Sequence, residues 1–497
     1  MAGRGLLAPG ERRKTGRPGT RSRHDEGEVR WESAVRMRGD RLVIMGSVFP
    51  ASRHTIGMFM NQNGNHVSPT SMRGAGLWRT SKANVVAAVV FAIIALAEGL
   101  FMIGDIDAKS LPDPTMHIPQ TYALATGQVF NPTEFQTDEW GNHFRRQNLK
   151  GDSYYLEPDG NNSLLMNVIS QIGKSNAYHS EDNGSQTVSG LYRSTQYFPA
   201  SYIPQAVGMK IGMMLHMSHY KTLQMARGVN LLTFIAMVAF AIILLPRGKL
   251  LMLALGLLPM TVYTASSMMP DGLYFAASAC MVAVAMYGLR SERRMSNGLY
   301  VFLIVISLWI LLGKSLYLVA ALPVLLLPKV VLSWKRKLGY VGVMCIGLVL
   351  YLLWSSAYSG GFFAANVADN KGYILHDPVH FVIVVLKNAL HVYSELIIMP
   401  HGYWWVALAI TVITVGSAVY GFVTDWKRER SNFTVVYVAS VVVSFFLGIC
   451  AIYAFTALTW NDLSNMSQGI DLEGFQGRYI LPLLPSAAFL SVWGKRI

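Results

Sequence analysis

Two carboxylates, two cations and a band of tyrosines are the side chains here whose types and spacing could do chemistry. Asp113 stands in Leu111-Pro112-Asp113-Pro114-Thr115-Met116-His117. The prolines on either side restrict its backbone, so it can serve as a fixed general base. The local alternative is a helix cap, since Pro114 suits a first helical turn. Asp271, in Ser267-Met268-Met269-Pro270-Asp271-Gly272, is a second acid beside apolar runs and carries the same cap alternative. Arg478 lies in Gly474-Phe475-Gln476-Gly477-Arg478-Tyr479-Ile480-Leu481-Pro482. Its guanidinium offers a forked donor set to phosphate oxygens, or with Tyr479 it anchors a membrane interface. Lys314 follows Gly313 between two apolar runs, where snorkelling explains it as well as ligand binding does. The run Tyr192 to Gln205, which includes Tyr197 and Tyr202, interleaves rings with amides. Such a surface suits carbohydrate or lipid headgroups and also suits an aromatic belt. His376, His380, His391 and His401 lack metal-ligand spacing, and no metal site is expected.

The elements that must position these residues are membrane helices. Of 497 residues, 52% are hydrophobic and 14% charged, with a mean hydropathy of +0.34. Soluble, disordered, collagenous and disulfide-stapled classes are thereby excluded. Apolar stretches at 84–104, 228–246, 250–269, 271–289, 298–313, 315–333, 339–357, 403–423, 433–457 and 479–494 each approach the length needed to cross roughly 30 Å of hydrocarbon. The expected fold is an all-α polytopic membrane protein of about ten transmembrane helices with a large first external loop. Arg247 and Lys249, then Arg290, Arg293 and Arg294, then Lys335, Arg336 and Lys337 fall in alternate short loops, which positive-inside orientation assigns to the cytoplasm. Both termini are then cytoplasmic, and the 105–227, 358–402 and 458–478 segments are external. The apolar but His- and Glu-bearing stretch 377–400 is expected to lie on the outer interface rather than to span, as is the stretch from Tyr202 to Tyr220.

The net charge of +14 is mostly a tail: residues 1–83 hold 15 Lys+Arg against 6 Asp+Glu, without apolar periodicity. That composition reads as a disordered cytoplasmic segment beside anionic headgroups rather than a nucleic-acid arm. Cys280, Cys345 and Cys450 lie in apolar runs and read as small core hydrophobes. The chain contains no internal repeat, phosphate-binding glycine loop or zinc spacing.

Taken in order, Pro112-Asp113 with His117, then Tyr122-Ala123-Leu124-Ala125-Thr126-Gly127, the YFPASYIPQAVG run (197–208), the MPDG junction (269–272), Lys314 and QGRYILPLLP (476–485) resemble a family of uncharacterised bacterial multi-pass proteins of unknown domain function, distantly similar to GT-C glycosyltransferases. The resemblance covers about residues 85–494. It implies a GT-C-like membrane domain in the bacterial plasma membrane. The implied reaction is inverting transfer from a polyprenyl-phosphate sugar at the outer face to a cell-envelope glycan or glycolipid. Asp113 would be the base and His117 and Asp271 its supports. The family pattern usually reads Pro-Asp-Glu, whereas Pro114 stands at the third position here, so a divalent metal or a two-acid mechanism is disfavoured and no cofactor is assigned. A single displacement needs only one base, with positive charge on the departing phosphate, and Arg478 and Lys314 are the candidates. Tyr197, Tyr202, Gln476 and Tyr479 are the candidate substrate contacts. The alternatives are a lipid-linked sugar transporter or flippase, and a non-catalytic scaffold for envelope synthesis.

Overall fold

The computed structural model describes residues 82–106, 111, 113–130, 133–137, 143–152, 178–180, 185–191, 197–291, 293–359, 364–391, 412, 416, 432–461, 463, 472 and 475–492. The basic tail up to residue 81, the 403–423 stretch apart from Val412 and Gly416, Pro112, residues 192–196 and His401 fall outside the described residues, as does much of the 458–478 loop.

Helix α1 (Lys82–Asp105) is apolar throughout. It buries Ala88, Phe91 and Ala95 and turns Val86, Ile93, Leu100 and Phe101 outward. An apolar outer face of this kind is what a lipid-facing helix needs. The chain then forms α2 (Pro114–Ala125) and enters a polar segment where the sequence offers no strong alternation. There β1 (Thr133–Thr137), β2 (His143–Asp152), β3 (Tyr178–Ser180) and β4 (Ser185–Leu191) build an antiparallel sheet in the order β1-β2-β4-β3. This sheet is a departure from the all-helical expectation. Strands such as Ser-Gln-Thr-Val-Ser-Gly-Leu carry little apolar surface, so the period-two signal on which strand reading depends is nearly absent.

A 3-10 turn (Pro199–Tyr202) leads into α3 (Ile203–Met214), which packs on α4 (His219–Leu244). The expected 228–246 span thus begins nine residues early, at His219, and draws Arg227 into the bundle. The expected 250–269 span is broken into α5 (Lys249–Gly256) and α6 (Pro259–Ala265). Pro259 explains the break: it has no N–H to continue the ladder and is favoured at a first turn. Helix α7 (Asp271–Ser291) is the centre of the molecule, with 94% of its apolar window buried. Being apolar all round and rich in Ala, Ser and Gly, it lets neighbours approach closely on every side.

Helix α8 (Asn297–Gly313) follows. The expected 315–333 span is reduced to a 3-10 turn (Ser315–Ala321) and the short α9 (Leu322–Leu325). Next come α10 (Trp334–Trp354) with a terminal π turn (Ser355–Ser359), α11 (Ala364–His376), α12 (Pro378–His391) and α13 (Asn432–Trp460). Both α11 and α12 lie against α13. Leu375, Val379, Val382 and Ile383 are exposed on this pair while Val384, Val385 and Ala389 are buried. The last apolar stretch, Gly477–Val492, is a 3-10 helix along its whole 16 residues and packs along α7. Pro482 and Pro485 remove two donors from any α-helical ladder and, three apart, share one face of a three-fold helix. Among the described residues, five helices are long and apolar enough to cross a membrane. Of the cysteines, Cys280 is buried and Cys450 partly so, but Cys345 is exposed, which corrects the expectation of three core residues. It lies on α10, whose outward residues Leu338, Ile346 and Leu353 are themselves apolar.

Candidate functional site

Asp113 occupies the N-cap position of α2 in a left-handed conformation (φ 46°, ψ 46°). Asp is among the few residues that enter this region. Its carbonyl accepts from the Met116 and His117 N–H groups at 3.0 and 3.1 Å. Its side chain makes no capping hydrogen bond. The carboxylate instead accepts from Arg478 Nη2 at 2.5 Å, a contact spanning 365 residues of chain. The cap alternative therefore holds for the backbone and not for the carboxylate.

Asp271 is the first residue of α7, where the Pro270 carbonyl accepts from the Leu273 and Tyr274 N–H groups. Its carboxylate is 2% exposed and lies 2.6 Å from Lys314 Nζ and 3.7 Å from Arg478 Nε. A buried carboxylate is costly unless paired, and the helix N-terminus adds a favourable dipole. Gly272 is required beside it, because a Cβ there would stand 2.6 Å from the Ala265 Cα and N atoms. Lys314 sits at the corner between α8 and the next turn, its N–H bonded to the Ile310 carbonyl. The preceding Gly313 admits the Tyr274 hydroxyl, which a Cβ would meet at 2.1 Å. The Lys314 ammonium is surrounded by the rings of Tyr479 (4.7 Å), Tyr197 (5.3 Å) and Tyr317 (5.7 Å). Arg478 in turn lies over Tyr479.

Four charges thus alternate in one chain: Lys314, Asp271, Arg478, Asp113. Side-chain exposure along it runs 14%, 2%, 7% and 46%, so the chain is sealed in the middle and opens to solvent at Asp113.

His117, one helical turn beyond Asp113, is 4% exposed. Its Nδ1 is 2.7 Å from the Tyr202 hydroxyl, and its ring lies parallel to that of Tyr197 at 6.2 Å. Burial pushes the imidazole down to about 4, against the opposing pull of Asp113, so it is neutral near pH 7. The run from Tyr197 to Gln205 weaves the other parts together. Phe198 N–H donates to the Leu312 carbonyl at 3.1 Å, Tyr274 Oη to Ser201 Oγ at 2.8 Å, and Gln205 Nε2 to the Met269 carbonyl at 3.2 Å. Gln476 is half-buried, and its carbonyl accepts from the Tyr479 N–H.

The structure therefore brings Asp113, His117, Asp271, Lys314, Arg478, Tyr197, Tyr202 and Tyr479 into one connected cluster, with Gln476 at its edge. Sequence reading did not single out Tyr274 and Tyr317, which lie in ordinary apolar runs. It also passed over Arg227, placed at the end of the polar loop one residue before an expected span. Among the described residues no group of three or more His, Cys, Asp or Glu side chains could hold a metal ion. His380 Nδ1 is 2.7 Å from the Tyr373 hydroxyl.

A helical bundle with lipid-type outer faces, closed around a chain of buried charges at the ends of several helices, defines a multi-pass membrane protein with a built polar site. Residues 106–487 match the family described as "Predicted membrane protein (DUF2142)", and the chain belongs to that family. No curated protein and no solved structure matches the chain.

Proposed function

We propose that this protein is an inverting, GT-C-like glycosyltransferase. It would use a polyprenyl-phosphate sugar at the outer face of the bacterial plasma membrane to modify an envelope glycan or glycolipid. The observation that carries the reading is the half-exposed Asp113 carboxylate at the open end of a charge chain that also holds Arg478 and Lys314. An acid able to accept a proton thus stands beside cations able to receive a phosphate. In the proposed step Asp113 takes the proton of the acceptor hydroxyl as that oxygen bonds to the anomeric carbon. The bond from that carbon to the phosphate oxygen breaks, and its electron pair leaves on the lipid phosphate. Arg478, with Lys314 behind it, opposes the charge that develops there. Asp271 orients both cations, and neutral His117 with Tyr202 fixes the start of α2. Tyr197, Tyr479 and Gln476 supply ring faces and amide groups for the sugar and headgroup.

The ten-pass topology with cytoplasmic termini belongs to the same reading. The alternating basic loops support it, and so does the exposed apolar face of α11 and α12, which suits an outer interface. The transporter alternative draws on the broken α5–α6 pair, since interrupted helices line many transport paths. Reconstituted protein separates the two. Given a radiolabelled polyprenyl-phosphate sugar, the wild type should transfer label to an envelope acceptor. Asp113→Asn should lose on the order of 10²–10⁴-fold of that rate. Transfer that persists unchanged in Asp113→Asn would sink the mechanism, and movement of intact donor across the bilayer without transfer would favour the transporter.

A further inference from the structure

The two acids of the charge chain are more than 150 residues apart in sequence. Arg478 links their side chains, at 2.5 Å from Asp113 and 3.7 Å from Asp271, and a second link joins the backbone around them. Arg227, inside α4, is 1% exposed, and its guanidinium donates to both segments. Nη2 donates to the Met102 carbonyl at 3.0 Å, and Nη1 to the Ile103 and Ile106 carbonyls at 3.2 and 3.0 Å. Nε donates to the Ser266 carbonyl at 2.7 Å. Met102 and Ile103 are in the last turn of α1 and Ile106 directly follows it, on the chain leading toward Asp113. Ser266 opens the strap between α6 and α7, just before Asp271.

Asn230, on the same side of α4, extends the hold. Its Nδ2 reaches the carbonyls of Ala265, Ser267 and Met269 at 2.9, 3.1 and 3.3 Å. At the other end of α1, Asn84 Nδ2 donates to the Ile243 carbonyl at 2.8 Å, so α1 and α4 are fastened at both ends. A planar fork is needed for the Arg227 contacts. One ammonium cannot reach carbonyls on two separate segments with the same directionality.

We propose that Arg227 is a positioning residue that locks the end of α1 (102–106), which leads toward Asp113, against the 265–271 strap and so sets the spacing of Asp113 and Asp271. Its kinetic consequence rests on the sugar-transfer reading, whereas its structural consequence does not.

The test uses the full-length protein in lipid nanodiscs and follows backbone hydrogen exchange in peptides covering 99–118 and 261–275, with 445–459 as a control. The informative amides include Ile106 N–H, bonded to the Met102 carbonyl at 3.1 Å, and Ser266 N–H, bonded to the Val262 carbonyl at 2.8 Å. In Arg227→Gln both site peptides should exchange together, about tenfold faster or more, with the control unchanged. In Asn230→Ala only 261–275 should accelerate. Where Arg227→Gln does not accumulate as folded protein, Arg227→Lys carries the same comparison. Acceleration of one site peptide alone, of neither, or of all three peptides equally in the Arg227 variant overturns the proposal. In the transfer assay, Arg227→Lys should lower kcat on the order of 10–100-fold while leaving the donor KM nearly unchanged. A full kcat with both peptides loosened removes the catalytic consequence. A wild type that transfers no sugar refutes the glycosyltransferase reading and leaves the exchange result to judge Arg227.

Discussion

At the scale of single residues, the site is governed by the cost of burying charge. Asp271 at 2% exposure is sustained by Lys314 at 2.6 Å, with Arg478 farther off at 3.7 Å. Removing one partner of such a pair strands the other, which typically costs about 3–5 kcal/mol. Asp271→Asn should therefore lower the thermal midpoint sharply. Asp271→Asn combined with Lys314→Met should recover part of the loss, because the stranded ammonium is gone. A double-mutant cycle on unfolding measures this, and strict additivity would show that the two side chains are not coupled. His117 gives a pH signature. With its folded value at about 4 and an ordinary value of 6.5, the unfolded chain binds the extra proton between those limits. Stability from this residue is present above about pH 6.5 and is lost as the pH falls toward 4, by up to roughly 1.4 kcal/mol per unit. Melting curves from pH 4 to 7 should show a shallower acid-side decline in His117→Asn than in the wild type.

At the scale of elements, the site is made where helices stop. Asp113 opens α2, Asp271 opens α7, Lys314 ends α8, and Arg478 starts the final 3-10 helix. Helix ends leave backbone donors and acceptors unpaired, and in a membrane protein these must be satisfied internally. Arg227, Asn230 and Gln205 do this at the α6–α7 strap. The strap is tight as well as bonded: a methyl group at Gly272 would meet Ala265 backbone atoms at 2.6 Å. Gly272→Ala should cost about 1–3 kcal/mol by forcing those atoms apart. It should also weaken transfer more than a comparable change far from the site. A Gly272→Ala protein with wild-type melting and wild-type transfer would mean that the strap gives way freely.

At the scale of the whole molecule, the arrangement is asymmetric across the membrane. The proposed topology puts the short basic loops on the cytoplasmic side and the polar first loop and the charge chain on the outer side. In a background with Cys280, Cys345 and Cys450 replaced by alanine, single cysteines at Lys371 and Arg294 report on the two sides. A membrane-impermeant thiol reagent applied to right-side-out cells should label position 371 and spare 294. The reverse pattern would place the site in the cytoplasm and remove access to an outer-face donor. Asn388 would be a poor reporter, since it is 8% exposed and its side chain accepts from the Leu472 N–H at 3.1 Å.

Membrane character, the central helix from Asp271 and the identity of Asp113, Asp271, Lys314 and Arg478 as the charges of interest were legible in the sequence. Apolar runs of bilayer length and charges set among them are one-dimensional signals. Where a segment is interrupted was less legible: the 250–269 break and the 3-10 form of 477–492 depend on how prolines are accommodated by neighbours. The small sheet was hidden because the sequences of its strands show little period-two alternation of apolar residues. Only the tertiary structure decided that the Asp113 carboxylate faces Arg478 rather than its own helix, and that Arg227 belongs to the bundle and not to the loop. Both outcomes rest on contacts across 39 to 365 residues. Local propensity carries no record of such contacts, and only the close packing of several helix ends brings the partners within hydrogen-bond reach.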